Sequence, residues 1–165
     1  TYDASALSIL GWSPEEYRQD ARNKLIRQKV SYEIDTKAKE RADKAAQLLK
    51  QNTNLQEVAK QLGGEGSAAV SVGASGMVPR TNRDGGLSAA AAELEKGKIS
   101  GAVRTTTGDG YYFVKLIDKT DTQVSYEYLK IPLTEFNNRL AQLRTDGKIQ
   151  EFISIPEIES QATNQ

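Results

Sequence analysis

Apolar residues recur with helical spacing over the first third of the chain and with strand-like alternation over much of the last third. Ser13 precedes Pro14, Glu15 and Glu16, which combines an N-cap, a proline at the first helical position and a capping-box glutamate. Tyr17, Ala21, Leu25 or Ile26, and Val30 then follow at helical intervals, opposite a polar face. Before this helix, Ala4 to Leu10 reads as a short helix closed by Gly11, with Leu7, Leu10 and Trp12 set against Tyr17 and Leu25. From Tyr32 to Gln51 the helical period continues with a more polar surface. Ala42, Ala45, Ala46, Leu48 and Leu49 form its buried side, and a break is expected at Ile34-Asp35-Thr36, where Asp35 or Thr36 can cap a new helix. Thr53 or Asn54 caps a further helix, Leu55 to Leu62, with Leu55, Val58, Ala59 and Leu62 inward.

The pattern changes at the glycines Gly63, Gly64 and Gly66. Ala69 to Gly73 reads as a short strand and Ala74 to Gly86 as an exposed loop. Leu87 or Ser88 opens an alanine-rich helix through Leu94 and Lys96, ended at Gly97. Ile99 to Val103 is a short strand, Thr105 to Gly110 a hairpin turn, and Tyr111 to Ile117 an aromatic and β-branched strand. Val124 to Ile131 alternates as another strand, and Pro132 ends it. A helix starting at Leu133-Thr134-Glu135 carries Phe136, Leu140 and Leu143, and a turn at Thr145-Asp146-Gly147 precedes Ile149, Phe152 and Ile153. The predicted class is α+β, a small antiparallel or mixed sheet flanked by helices and extended by an N-terminal helical arm.

Composition narrows the chemistry more than it shapes the fold. The 165 residues include 22 basic and 22 acidic side chains, so no broad basic surface for nucleic acid is expected. No apolar run approaches the roughly 20 residues of a membrane-spanning helix, so membrane insertion by this segment is not expected. Cysteine and histidine are both absent. That removes disulfides, thiolate nucleophiles, Ser-His-Asp triads, imidazole bases and Cys- or His-ligated metal sites. Neither a phosphate-binding glycine loop nor a dinucleotide fingerprint occurs, and no cofactor or metal is expected. The chain starts at Thr1 in a helical pattern, and reads as a piece of a longer protein with an upstream anchor or signal.

Leu55-Gln56-Glu57-Val58-Ala59-Lys60, Met77-Val78-Pro79, Leu87 with Leu94, Leu94-Glu95-Lys96-Gly97-Lys98-Ile99-Ser100 and Gly110-Tyr111-Tyr112-Phe113-Val114-Lys115-Leu116 occur in that order within Leu48 to Leu116. Their order and spacing over about 70 residues resemble the parvulin-type peptidyl-prolyl isomerases. Gly11-Trp12-Ser13-Pro14-Glu15-Glu16-Tyr17-Arg18 also resembles the opening of SurA-type N-terminal chaperone helices. The resemblance implies three parts: residues 1–35 as part of a SurA-like helical module, 36–155 as a parvulin-like domain, and 156–165 as a polar tail.

Two departures bear on activity. Tyr112 stands where the family's last strand has one histidine of its central pair. The family's first strand is missing ahead of the helices, and Val124 to Ile131 is the candidate for it, displaced to the C-terminal side. A permuted sheet is therefore expected, with this segment central and Tyr128 at or near the other histidine position. The loop from Pro79 to Gly86 is longer than the family's. Glu65 is the carboxylate nearest to the family's acidic or thiol position, without a secure match.

By the resemblance, Met77 and Leu87 are the candidate apolar wall for a proline ring, and Tyr112 and Tyr128 the neutral replacements for the two imidazoles. Plainer readings stand beside these. Met77 serves as a filler contact, Leu87 as core, the two tyrosines as ordinary strand residues, and Arg80 and Arg83 as solvated loop charges. The implied function is a parvulin-like isomerase or foldase-type chaperone that binds unfolded or proline-containing polypeptides outside the cytoplasm. Its isomerase activity is expected to be weak or absent for want of histidine. The alternative is a non-catalytic protein-interaction or assembly module.

Overall fold

The computed structural model describes residues 11–149. The expected helix at Ala4 to Leu10, the apolar cluster at Phe152 and Ile153, and the polar tail lie outside them. Helix α1 spans Pro14–Ile34 and begins with the expected capping box: the Ser13 hydroxyl accepts from the Glu16 amide, and the Glu16 carboxylate accepts from the Ser13 amide. Helix α2 covers Thr36–Leu48 and α3 covers Leu55–Leu62, capped by the Asn54 side chain.

The break between α1 and α2 is made by Asp35, which is buried. Its Oδ1 accepts from the Ala38 amide at 3.0 Å and caps α2. Its Oδ2 accepts from the amides of Thr134 (2.7 Å) and Glu135 (3.0 Å) at the start of helix α5, Glu135–Thr145. One carboxylate therefore satisfies orphan donors of two helices that are about a hundred residues apart in sequence. Ser31 and Tyr32, near the end of the 1–35 stretch, are buried as well, and Tyr32 donates to the Gly110 carbonyl at 2.6 Å.

Four strands form one antiparallel sheet: β1 (Ser71–Pro79), β2 (Val103–Arg104), β3 (Gly110–Lys119) and β4 (Gln123–Pro132), in the order β1-β4-β3-β2. The last strand in sequence is thus an inner strand, lying between β1 and β3 as expected for Val124 to Ile131. A 3₁₀ turn, Gly66–Ala68, leads into β1.

Three local expectations change. The first strand runs on to Pro79 instead of ending at Gly73. Pairing with β4 resumes beyond a bulge between Ala74 and Met77, so long-range partners supply the order that this glycine-rich stretch lacks locally. The alanine-rich helix, α4, is only Leu87–Ala92. Ile99 makes one isolated bridge to Lys115, and the paired strand is Val103–Arg104.

Alternation along β3 and β4 divides the interior into two cores. On one face, Tyr111, Phe113, Leu129 and Ile131 pack with Tyr32 of α1, Ala38, Ala42 and Ala45 of α2, and Leu55, Val58 and Leu62 of α3. On the other face, Tyr112, Val114, Leu116, Val124 and Tyr126 pack with Leu87 and Ala91 of α4.

Candidate functional site

The second face carries three tyrosines from two adjacent strands. Tyr112 on β3 is paired with Lys130 on β4, Val114 with Tyr128, and Leu116 with Tyr126. Directly paired residues share a face, so Tyr112, Tyr126, Tyr128 and Lys130 converge. The ring centroids of Tyr112 and Tyr128 are 5.6 Å apart, and those of Tyr126 and Tyr128 are 6.4 Å apart, both pairs tilted. Room for Tyr128 comes from its partner across the sheet, Gly73. A Cβ there would stand 2.5 Å from the Tyr128 ring and hydroxyl.

Each end of the cluster is tied to a carboxylate. Tyr112 donates to Asp109 Oδ2 at 2.7 Å, and Lys130 donates to the same oxygen at 2.7 Å. Asp109 Oδ1 accepts from Thr105 (2.7 Å) and Thr107 (2.6 Å). At the other end, Tyr126 donates to Asp84 Oδ2 at 2.7 Å, and Asp84 also accepts from the Asn82 side chain and from the Ser88 amide and hydroxyl.

These bonds set the proton affinities. For Asp109, burial works to raise the pKa, but the donors Lys130, Thr107, Thr105 and Tyr112 outweigh it and hold the carboxyl well below its usual range. Burial likewise opposes the four sets of hydrogen bonds at Asp84, from Tyr126, the Ser88 amide, Asn82 and the Ser88 hydroxyl, and the net direction is again down. Tyr112 and Tyr126 move the other way. Burial raises both, and hydrogen bonding to an ionised acceptor, Asp109 or Asp84, raises them further. Near neutrality the two carboxylates are charged acceptors and both phenols are neutral donors. Neither pair is poised to exchange a proton at that pH.

Of the residues expected to form a site, Tyr112, Tyr128 and Leu87 share this face. Leu87 is 6% exposed and Tyr112 7%, so both are packed core residues, while Tyr128 is half-buried. Met77 is elsewhere. It is paired with Ser125, whereas its neighbour Val78 is paired with Val124 and belongs to the tyrosine-face core. Adjacent strand residues point to opposite faces, so Met77 points away from the tyrosines and is 45% exposed. The expected apolar cleft of Met77, Leu87 and Tyr112 is therefore corrected: its three members are not gathered. Glu65 is an exposed residue ahead of the 3₁₀ turn and makes no side-chain capping bond.

The carboxylates that do reach the tyrosines, Asp109 and Asp84, lie in stretches that read as a hairpin turn and an exposed loop. A local signal was present for the first: Thr105, Thr107 and Asp109 alternate just ahead of the aromatic strand. For Asp84 the signal was its position four residues before Ser88, at the head of the alanine-rich helix. Only the fold shows that Tyr126 and Lys130 meet these acids.

A four-stranded antiparallel sheet with helices on both faces, and facing aromatic side chains on its two inner strands, is a parvulin-like α+β architecture. The family model of the PPIC-type PPIase domain matches residues 14–128, well over half of the chain, and the protein belongs to this parvulin-type peptidyl-prolyl isomerase family. The match begins with α1 and ends inside β4, at Tyr128. No curated protein and no solved structure matches the chain.

Proposed function

We propose that this domain is a foldase-type member of its family that binds extended, proline-containing polypeptide and accelerates prolyl isomerisation weakly or not at all. The observation that carries this reading is the commitment of the Tyr112 and Tyr126 hydroxyls to Asp109 and Asp84. Rotation about a prolyl bond faces a barrier of about 18–20 kcal/mol from amide resonance, and a catalyst must favour the twisted amide over the planar one. Side chains already holding carboxylates, with their rings buried, are poor candidates for such selective contacts.

In this reading β4 stands in for the family's first strand, and Tyr128 and Tyr112 occupy the two positions that histidines hold elsewhere. Helix α1, with its capped start and exposed Leu25, Ile26 and Val30, belongs to a chaperone module of SurA type. A location outside the cytoplasm accords with the resemblance and with a chain free of cysteine.

A protease-coupled assay on a proline tetrapeptide tests the first half of the reading. The expected outcome is no acceleration above the uncatalysed rate, together with suppressed aggregation of a chemically unfolded client. Clear turnover that is flat from pH 5 to 8 and lost in Tyr112→Phe would replace this reading with a tyrosine-based isomerase. Absence of both turnover and aggregation suppression would favour the interaction-module alternative, for which the exposed apolar residues of α1 are the supporting observation.

A further inference from the structure

Behind the Asp109 carboxylate lies a cavity of about 670 Å³, bounded by the C-terminal half of α1, the loop joining β2 to β3, and the start of α5. Lys24, Arg27 and Lys130 line it, and among the described residues Asp109 is its one carboxylate. That carboxylate already accepts from Lys130, Tyr112, Thr105 and Thr107. Asp109 and Lys130 therefore neutralise each other, at 2.7 Å, within the wall. Lys24 is paired with Asp20, which is not among the lining residues.

Arg27 is different. Its guanidinium lies 5.1 Å from the centre of the Phe136 ring, and Nη2 donates to Asn137 Oδ1 at 3.2 Å. Both partners are neutral, and among the described residues no carboxylate lies within ion-pair distance of it. Arg27 is exposed at the cavity mouth, and contact with a ring and an amide restricts part of its rotamer freedom before any ligand arrives. Its planar donor array matches a carboxylate better than any neutral group does.

We propose that this cavity is a subsite for the carboxylate side chain of an aspartate or glutamate in a bound polypeptide, received by Arg27 with Lys24 at the rim. The inference deepens the polypeptide-binding reading above, because the cavity and the tyrosine face meet at the Asp109–Lys130 pair. The half-buried Tyr128 stands two residues before the cavity-lining Lys130 on β4, about 7 Å along the strand, so an extended chain running along this end of β4 spans both within a few residues. The domain then prefers clients with an acidic residue close to proline.

The test uses amide chemical-shift mapping on the full chain with three blocked peptides. One carries a single glutamate and no proline, the second has glutamine in its place, and the third carries proline and no acid. The glutamate peptide is expected to shift the amides of Gln28, Gly108 and Asn137, and to bind about five- to tenfold more tightly than the glutamine peptide. Arg27→Gln removes that difference, Arg27→Lys keeps part of it, and Arg22→Gln, outside the cavity lining, leaves it intact. Equal binding of the two proline-free peptides, shifts confined to Arg18, Arg22 and Lys29, or indifference to Arg27→Gln in a spectrum that remains folded would each overturn the subsite. The proline peptide reports on the other reading separately: if it alone fails to bind, the reading of the domain as a binder of proline-containing polypeptide is lost and the carboxylate subsite stands.

Discussion

The two faces of one sheet solve the same burial problem with different chemistry. Against α2 and α3, strands β3 and β4 present Phe113, Leu129 and Ile131, and alanines and leucines from the helices close over them. Toward α4 the same strands present Tyr112, Tyr126 and Tyr128, whose rings fill space while hydroxyls must find acceptors. The first face rests mainly on shape and volume, with the Tyr32 hydroxyl tied to the Gly110 carbonyl. The second needs two carboxylates delivered from loops, one at each end of the cluster. Two tyrosines belong to the first face as well: Tyr32 donates to a backbone carbonyl, that of Gly110, and the buried Tyr111 hydroxyl has no hydrogen-bond partner among the described residues, so neither uses a carboxylate.

Three measurements would break or sharpen this contrast. The largest effect is expected on the apolar face: Phe113→Ala should cost about 3–5 kcal/mol, read by urea denaturation, because the ring is fully buried and its cavity cannot collapse in a sheet held from both sides. A loss below about 1 kcal/mol would show that this face is not the stabilising core.

Second is Asp109→Ala, expected to cost about 1–3 kcal/mol by stranding the Thr105 and Tyr112 donors and freeing Lys130. Its pH dependence carries the sharper signal. The folded-state pKa of Asp109 lies below its unfolded value, so its contribution is present above about pH 4 and declines as pH falls toward the folded-state value. The wild-type chain should lose stability below about pH 4 more steeply than the Asp109→Ala variant. Parallel acid limbs would mean that the carboxylate is not a stabilising acceptor.

The smallest effect is expected for Tyr126→Phe, about 1 kcal/mol, since Asp84 retains Asn82 and Ser88. Ultraviolet titration gives the specific readout. Both Tyr112 and Tyr126 are raised, so their contribution is whole below about pH 10 and is lost as pH climbs toward their folded-state values. Tyr112→Phe and Tyr126→Phe should each delete one late-titrating phenol. If the deleted phenols titrate with the ordinary tyrosines, the hydroxyl–carboxylate pairs are not formed in solution.

Much of the helical layer could be read without a structure, because its signals are local. A hydroxyl or carboxamide at the cap, an acid three residues on and apolar residues one turn apart act within a few residues of one another, as at Ser13 and Asn54, and the Asp35 carboxylate caps through an equally local bond to the Ala38 amide. The aromatic strand and its neighbour were legible for the same reason, through alternation over eight or more residues. The bulged half of β1 was not, because its order comes from pairing with β4, some fifty residues away. Tyr112 and Tyr128 were singled out by their likeness to family positions, and their ring centroids lie 5.6 Å apart in the fold. Met77 was misplaced because the bulge decides which of two adjacent residues, Met77 or Val78, faces the tyrosines.

By itself, then, the sequence determined the α+β class, most helix starts, the inner aromatic strands and the exclusion of histidine and cysteine chemistry. These follow from composition and from interactions that span a few residues. Tertiary structure alone decided that Asp109 and Asp84 bind the tyrosine hydroxyls, that Gly73 makes room for Tyr128, and that Asp35 joins two distant helix starts. Each of those needs a carboxylate, ring or amide placed to within a few tenths of an ångström of a partner far away in the chain. Strand register and helix docking fix such distances, and periodicity along a single strand or helix does not.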